Sequence, residues 1–304
     1  MHVRELPRDA EIRVLTHRAD VDGVVCAAIV LRRFPRAVIR TGEPKEDLAG
    51  EYDMVVDLPL KRGLRVRVWI DHHQTGNEGG QADEVIHDPK ARSAAGLLAR
   101  YLGTGTELAE LADRADSAGY QSPPPTGDEA GYDPAWDIND AVKAIEGDSR
   151  FVELARILSS GGVEAVRRAF GEEIARTREL RRRADELADR AWEAVRSAGA
   201  DAAILLMPGG ELSSPTVSGR VVFSLYDRGV KCCAVFYEGG CWFNVRKDFE
   251  GVDASAIAKR FGGGGHRKSA GAPIGPEQLE SVKREFERAS LRPAVVDLRM
   301  PAES

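Results

Sequence analysis

Three apolar runs early in the chain each stop on acids or imidazoles. "IRVLTH" (12–17) leads into "RADVDG", "YDMVVDLPL" (52–60) carries Asp57, and "RVRVWIDHH" (65–73) ends in Asp71, His72 and His73. Short runs rich in Val and Ile, bounded by turn residues, predict buried strands. Between them "DGVVCAAIVLRRF" (22–34) has helical spacing, "RAVIRT" (36–41) predicts a further strand, and 91–102 and 107–118 predict helices. Strands alternating with helices point to a mainly parallel α/β sheet, because parallel neighbours need a crossover and a helix supplies it. Ligands of such sheets bind outside the strand carboxyl ends. His17, Asp20, Asp22, Asp57, Asp71, His72 and His73 are therefore predicted to converge on one rim.

Further along, "YQSPPPTGDEAGYDP" (120–134) is turn-rich and predicts a surface loop, and helical segments resume at about 137–169. Residues 171–198 predict one long helix, with Leu180, Ala184, Leu187, Ala191 and Val195 on one stripe and the Arg/Glu/Asp crowd on its solvated face. A second α/β pattern follows, with strands at 201–207, 230–238 and 241–249 and helices near 217–228 and 253–261. The expected organisation is two-lobed: a catalytic domain over 1–165, a helical linker over 166–199 and a smaller α/β domain over 200–304. A length of 304 residues with 42% apolar content supports a core in each lobe. Four cysteines without CxxC spacing read as reduced thiols. The start lacks a signal peptide's pattern and no run approaches the ~20 apolar residues of a membrane span, so a soluble cytoplasmic chain is expected. A net charge of −6 argues against a broad basic face for long nucleic acid, while leaving room for a local basic cleft.

Carboxylates crowded on one rim repel each other and take up protons unless cations neutralise them. Aspartates mixed with imidazoles, without thiolate, suit manganese better than a structural zinc site, and calcium prefers oxygens alone. The donors suffice for two ions sharing a carboxylate. A calcium loop at "DVDG" fails because its Gly comes too early and no closing Glu follows. Taken singly, Asp20 and Asp22 read as helix caps and His17 as a hydrogen-bonded residue beside the core. Three such endings together, and a tandem His pair that packs no better than aliphatic side chains, favour ligands. A second signal is "FGGGGHRKSAGAPI" (261–274). It reads either as a flexible linker or as an anion cradle, in which Gly263, Gly264 and Gly265 turn their amides inward beside His266, Arg267 and Lys268.

Together "HRADVDG", "VVDLP", "IDHH" and "GGGGHRKSAG" resemble the motifs of the DHH phosphoesterase superfamily, in the subgroup with a DHH-associated C-terminal domain. The resemblance covers nearly the whole chain. It implies one manganese on His17, Asp20 and Asp57 and another on Asp22, Asp57 and His72, with Asp57 bridging and magnesium or cobalt as alternative ions. A fourth motif, "LADRADSAGY", offers Asp116 to the second ion, preferred over Asp113 for its place before small residues. His73 would face the substrate phosphate and Asp71 would orient a neighbouring imidazole. His266, Arg267 and the glycines resemble the family's substrate clamp, with Arg246 of "FNVRK" as a phosphate-binding arginine. Two departures stand out: only Arg18 and Ala19 separate His17 from Asp20, and Ser269 stands where Ala is common.

The implied function is a manganese-dependent phosphodiesterase or phosphatase acting on short single-stranded RNA (a nano-RNase) and on 3′-phosphoadenosine 5′-phosphate. The alternatives are a cyclic dinucleotide or polyphosphate hydrolase, a RecJ-like single-strand DNA exonuclease and a non-catalytic nucleotide sensor. Manganese pyrophosphatases resemble only the N-terminal half. The helical face around 91–118 is a candidate homodimer contact, and Trp242, Phe243 and Tyr120 either stack on a base or fill the protein interior.

Overall fold

The structure, a computed structural model, describes residues 2–18, 20–74, 76–127 and 130–299. The chain forms two compact units that divide between Arg178 and Glu179.

The first unit contains strands β1 (Arg13–His17), β2 (Val38–Gly42), β3 (Ala49–Val56), β4 (Leu60–Lys61), β5 (Gly63–Asp71), β6 (Asn77–Glu78) and β7 (Gln81–His87). Its main sheet has the order β2-β1-β3-β5-β7, with every pairing parallel, while β4 and β6 form a small separate ribbon. Helices α1 (Val21–Arg33), α2 (Ala94–Leu102), α3 (Thr106–Asp116), α4 (Ala135–Ala144) and α5 (Gly147–Ala169) accompany it. Alternation along the strands sends Val14, Val56, Val68 and Ile70 into one core with these helices. Leu15, Val55 and Trp69 go to the opposite face, where Leu48, Leu58 and Leu60 cover them instead of a helix. The apolar stripe of α2 and α3 (Leu97, Leu98, Leu108, Leu111) is taken up by the first of these cores.

Strand β7 has no counterpart in the sequence reading. Its seven residues alternate between exposed and partly buried at the sheet edge, so "QADEVIH" carries no apolar run. The long helix α6 (Gly171–Ser197) is continuous as expected, yet its two ends serve different cores. Ile174 packs with the first unit, whereas Ala184, Leu187, Ala191 and Val195 join the second. The division between units consequently falls inside this helix and not after it.

The second unit builds a mixed sheet from β8 (Ala202–Leu206), β9 (Cys232–Tyr237), β10 (Gly240–Val245), β11 (Gly264–His266), β12 (Ser269–Ala272) and β13 (Pro293–Asp297), in the order β11-β12-β10-β9-β8-β13. Helices α7 (Pro215–Asp227), α8 (Ala254–Arg260) and α9 (Leu279–Arg288) complete it. Here both sheet faces are covered: α6 and α7 pack on one, α8 and α9 on the other. All four cysteines are free and buried. Among the described residues, no helix is long and apolar enough to cross a membrane.

A buried ionic knot closes the first unit. The Arg178 guanidinium, 5% exposed, donates to Asp137 at 2.5 Å and to Asp140 at 3.3 Å. Arg167 and the Tyr132 hydroxyl also donate to Asp137. Removing one partner of a buried pair leaves a charge without compensation. Arg178→Ala is expected to lower stability by about 3–5 kcal/mol. Urea unfolding of the variant measures this, and a loss below about 1 kcal/mol would show that the remaining donors suffice.

Candidate metal centre

Strands β1, β3 and β5 are adjacent and parallel, so their carboxyl ends open on the same edge of the sheet. Asp20 is the N-cap of α1: its Oδ1 accepts from the Gly23 amide at 2.9 Å. Its other oxygen, Oδ2, lies 2.7 Å from His17 Nδ1. The cap reading and the ligand reading of Asp20 are thus compatible, one oxygen to each.

Asp22 is buried in the first turn of α1 and accepts from two amides at the start of α2, Ala94 N at 2.7 Å and Ala95 N at 2.8 Å. That helix N-terminus favours a negative charge. Asp57 receives no such help. It is 1% exposed, and neither of its carboxylate oxygens has a hydrogen-bond partner. Its φ of 58° places a non-glycine residue in the left-handed region, at a cost of order 1–3 kcal/mol.

The imidazoles are oriented from behind. His72 Nδ1 lies 3.3 Å from the Ala91 carbonyl, to which its proton can be donated, and Nε2 then faces three acids: Asp116 at 3.3 Å, Asp22 at 3.7 Å and Asp57 at 3.8 Å. His73 Nδ1 donates to Asp71 Oδ1 at 2.8 Å, and Asp71 also accepts from the amides of His72 and His73. Asp71 thus orients His73. From β7, His87 Nε2 donates to the His73 carbonyl at 2.7 Å and helps to hold the same turn.

Three sets of donor atoms result, each within 4.8 Å of one another: His17, Asp20 and Asp57; Asp22, His72 and Asp116; and Asp57, His72 and His73. Asp116 ends α3 beside His72, whereas Asp113 accepts from the Ser93 hydroxyl at 2.6 Å and so fixes the cap of α2. The buried atoms without partners include Asp57 Oδ1 and Oδ2, His17 Nδ1 and His72 Nε2. Lone pairs converging on one volume without a donor are what a cation removes, and the residues fit divalent metal on that ground.

The electrostatics agree. Burial, followed by the Asp20 charge, raises Asp22 to about 7. Burial and the Asp22 charge push Asp57 well above the usual carboxylate range. Burial also raises Asp116. Burial opposes a charge on His17, but contacts with Asp20 and Asp57 outweigh it and lift that imidazole to about 11. Without a cation, protons are drawn in to occupy its place.

The expected substrate residues lie in the second unit. Gly263 and Gly265 are demanded by the β11–β12 hairpin: a Cβ at Gly263 would lie 2.0 Å from the Gly271 oxygen, and one at Gly265 2.6 Å from Ala270 Cα. The run is neither a linker nor a cradle by necessity, since close strand approach accounts for two of its glycines. A Cβ at Gly264 would meet open space. His266 is exposed. Arg267 and Lys268 both pair with Glu250 at 2.8 Å, and Arg246 pairs with Asp248 at 2.6 Å. Ser269 accepts from the Trp242 indole at 2.8 Å, which gives this departure from the motif a partner. Phe243 is fully buried and has no face for a base, while Tyr120 stacks on Trp136 at 3.7 Å. Sequence reasoning missed His87, the Ala91 carbonyl and the Ala94 and Ala95 amides. The one sequence signal that could have located those amides is Ser93, which caps α2 by accepting from the Gly96 amide.

Solved structures of low sequence identity share this fold over nearly the whole chain. Over 91% of this chain and 98% of the other, the structure resembles a pGpG-specific phosphodiesterase, PggH, from Vibrio cholerae, with a TM-score of 0.61 and 18% identity. An exonuclease RecJ bound to manganese matches 95% of this chain over 94% of its own, with a TM-score of 0.59 and 18% identity. RecJ from Thermus thermophilus in complex with Mn2+ matches 96% of this chain with a TM-score of 0.54 and 17% identity, and this chain spans 55% of that protein. No family model and no curated protein matches the sequence.

The raised acids set a sign for stability against pH. A carboxyl whose folded pKa exceeds its unfolded value favours folding while protonated: for Asp22 that contribution is full below 3.8 and is lost as pH rises through about 7. Asp22→Asn carries no such charge. In metal-free buffer its stability relative to the parent chain is expected to rise between about pH 4 and pH 7 and then level off. Thermal unfolding of both across that range tests this, and parallel curves would refute it.

Proposed function

We propose that the chain is a divalent-metal phosphoesterase that hydrolyses short oligoribonucleotides with manganese, and 3′-phosphoadenosine 5′-phosphate as a further substrate. One observation carries the reading: the buried, partnerless Asp57 carboxylate lies between two sets of ligands, His17 with Asp20 and Asp22 with His72 and Asp116. Carboxylates mixed with imidazoles favour manganese, with magnesium or cobalt as substitutes. Two such ions would neutralise the acids, activate a water and stabilise the charge that develops on a phosphoryl group.

The chain's own groups complete the chemistry. Asp71 accepts from Nδ1 of His73 and raises the pKa of this half-exposed ring, so that in the charged form Nε2–H is left to donate to a phosphoryl oxygen. Arg246, His266, Arg267 and the hairpin glycines Gly263, Gly264 and Gly265 are assigned to substrate binding. Asp248 and Glu250 are exposed, so a phosphate can replace either of them on its arginine while water solvates the displaced carboxylate. The net charge of −6 argues against a broad basic face for long nucleic acid and so favours short substrates. The full-length likeness to a protein described as pGpG-specific supports the same size class, since pGpG is a two-residue oligoribonucleotide.

A panel of short RNA, short DNA, cyclic di-AMP, 3′-phosphoadenosine 5′-phosphate and polyphosphate, assayed with manganese, tests the proposal. Short RNA is expected to be cleaved fastest, and Asp57→Ala to slow it by at least about 100-fold. Short RNA among the slowest substrates would end the nano-RNase assignment. A lack of hydrolysis with any divalent ion would end the enzymatic one.

A further inference from the structure

We propose that Glu43 is a positioning residue that fixes the His17 imidazole so that Nδ1 is the atom offered to the metal; this rests on the metal-centre reading above. Glu43 Oε2 lies 3.3 Å from His17 Nε2, while Nδ1, on the other side of the ring, lies 2.7 Å from Asp20 and 3.6 Å from Asp57. Nδ1 is buried and makes no hydrogen bond of good geometry with either acid. Once a cation displaces the Nδ1 proton, a proton shared between Nε2 and Glu43 would keep the Nδ1 lone pair available to the ion, and a partner of this kind commonly sets ring orientation and basicity in a metal-bound histidine.

The placement follows from the fold. Strands β1 and β2 pair in parallel with His17 opposite Gly42, so Glu43 is the first residue past the pairing on the neighbouring strand. A Cβ at Gly42 would lie 2.7 Å from Leu48 Cδ2, so a glycine there lets the 43–48 loop fold back and bury Leu48. The loop is then pinned. The Glu43 amide donates to Glu46 Oε2 at 3.0 Å, the Glu46 amide donates to the Glu43 carbonyl at 3.0 Å, and Arg18 donates to Thr41 Oγ1 at 2.9 Å while reaching Glu46 at 3.6 Å. The Glu43 side chain is 34% exposed, and one of its carboxylate oxygens reaches His17.

The other two imidazoles support the assignment by contrast. His72 is held at Nδ1 by a carbonyl and presents Nε2, and His73 is held at Nδ1 by Asp71. His17 is the one of the three held at Nε2, and the acid that holds it comes from a different strand end.

Calorimetric titration of manganese into the metal-free chain tests the proposal with Glu43→Ala, Glu43→Asp and Glu43→Gln. Ala removes the acceptor and Asp shortens its reach, so both are expected to weaken one of two binding events by about 10–100-fold. Gln keeps an acceptor oxygen at the same reach and is expected to stay within about 3-fold of the parent chain, a rescue that a loss of net charge alone would not allow. Parent-like binding by Glu43→Ala, or Glu43→Gln as weak as Glu43→Ala, would overturn the assignment of Glu43 while the metal centre stands. A parent chain that bound no divalent ion would overturn the metal centre itself, and this assignment with it.

Discussion

Negative charge confined beneath a strand edge is the constraint on which the rest of the first unit depends. Asp22, Asp57 and Asp71 are each no more than 1% exposed, and burial this complete requires every carboxylate to find compensation. The chain compensates them unequally. Asp71 receives two amides and an imidazole, Asp22 receives two amides at a helix start, and Asp57 receives none. The remaining deficit is therefore concentrated at Asp57, which lies 3.6 Å from His17 and 3.8 Å from His72, where a cation would offset it.

The same logic governs the imidazoles. An unheld histidine ring samples two flips, so each ring that is fixed beforehand needs less ordering when a ligand arrives. Backbone supplies the fixing group for His72, an adjacent acid supplies it for His73, and a loop acid beyond β2 lies in place for His17. Even the edge strand β7 contributes, through His87 on the His73 carbonyl. Much of the chain between the motifs is thus committed to aiming the side chains within them.

What could be read from the sequence divides along physical lines. Strands β1, β3 and β5 are buried and announce themselves as apolar runs, and the acids that end them announce the rim. The edge strand β7 has few apolar contacts and left no such signal. The choice between Asp113 and Asp116 was a matter of helical phase: three residues apart, they lie near each other on α3, and only the packed helix shows that one caps α2 through Ser93 while the other reaches His72. The glycine run was legible as unusual, but its cause was not. Two of its glycines answer to a hairpin that a linear reading does not contain. Phe243 was ambiguous for the opposite reason, because alternation in a strand does not say which face is covered, and here both are.

The residue type at position 57 is specified twice over. The chain leaves β3 in a left-handed turn there, a region that Asp and Asn enter more readily than most residues with a side chain. Asparagine would satisfy the backbone and reduce the repulsion, and glycine would remove the strain altogether. Either would be the more stable solution for a protein that had only to fold. The carboxylate adds a charge that burial, Asp22 and Asp20 all oppose. Conformation thus narrows the choice to a few residues, and the one present is the least comfortable of them, which is intelligible if the position is occupied for its affinity toward cations and not for its contribution to the fold.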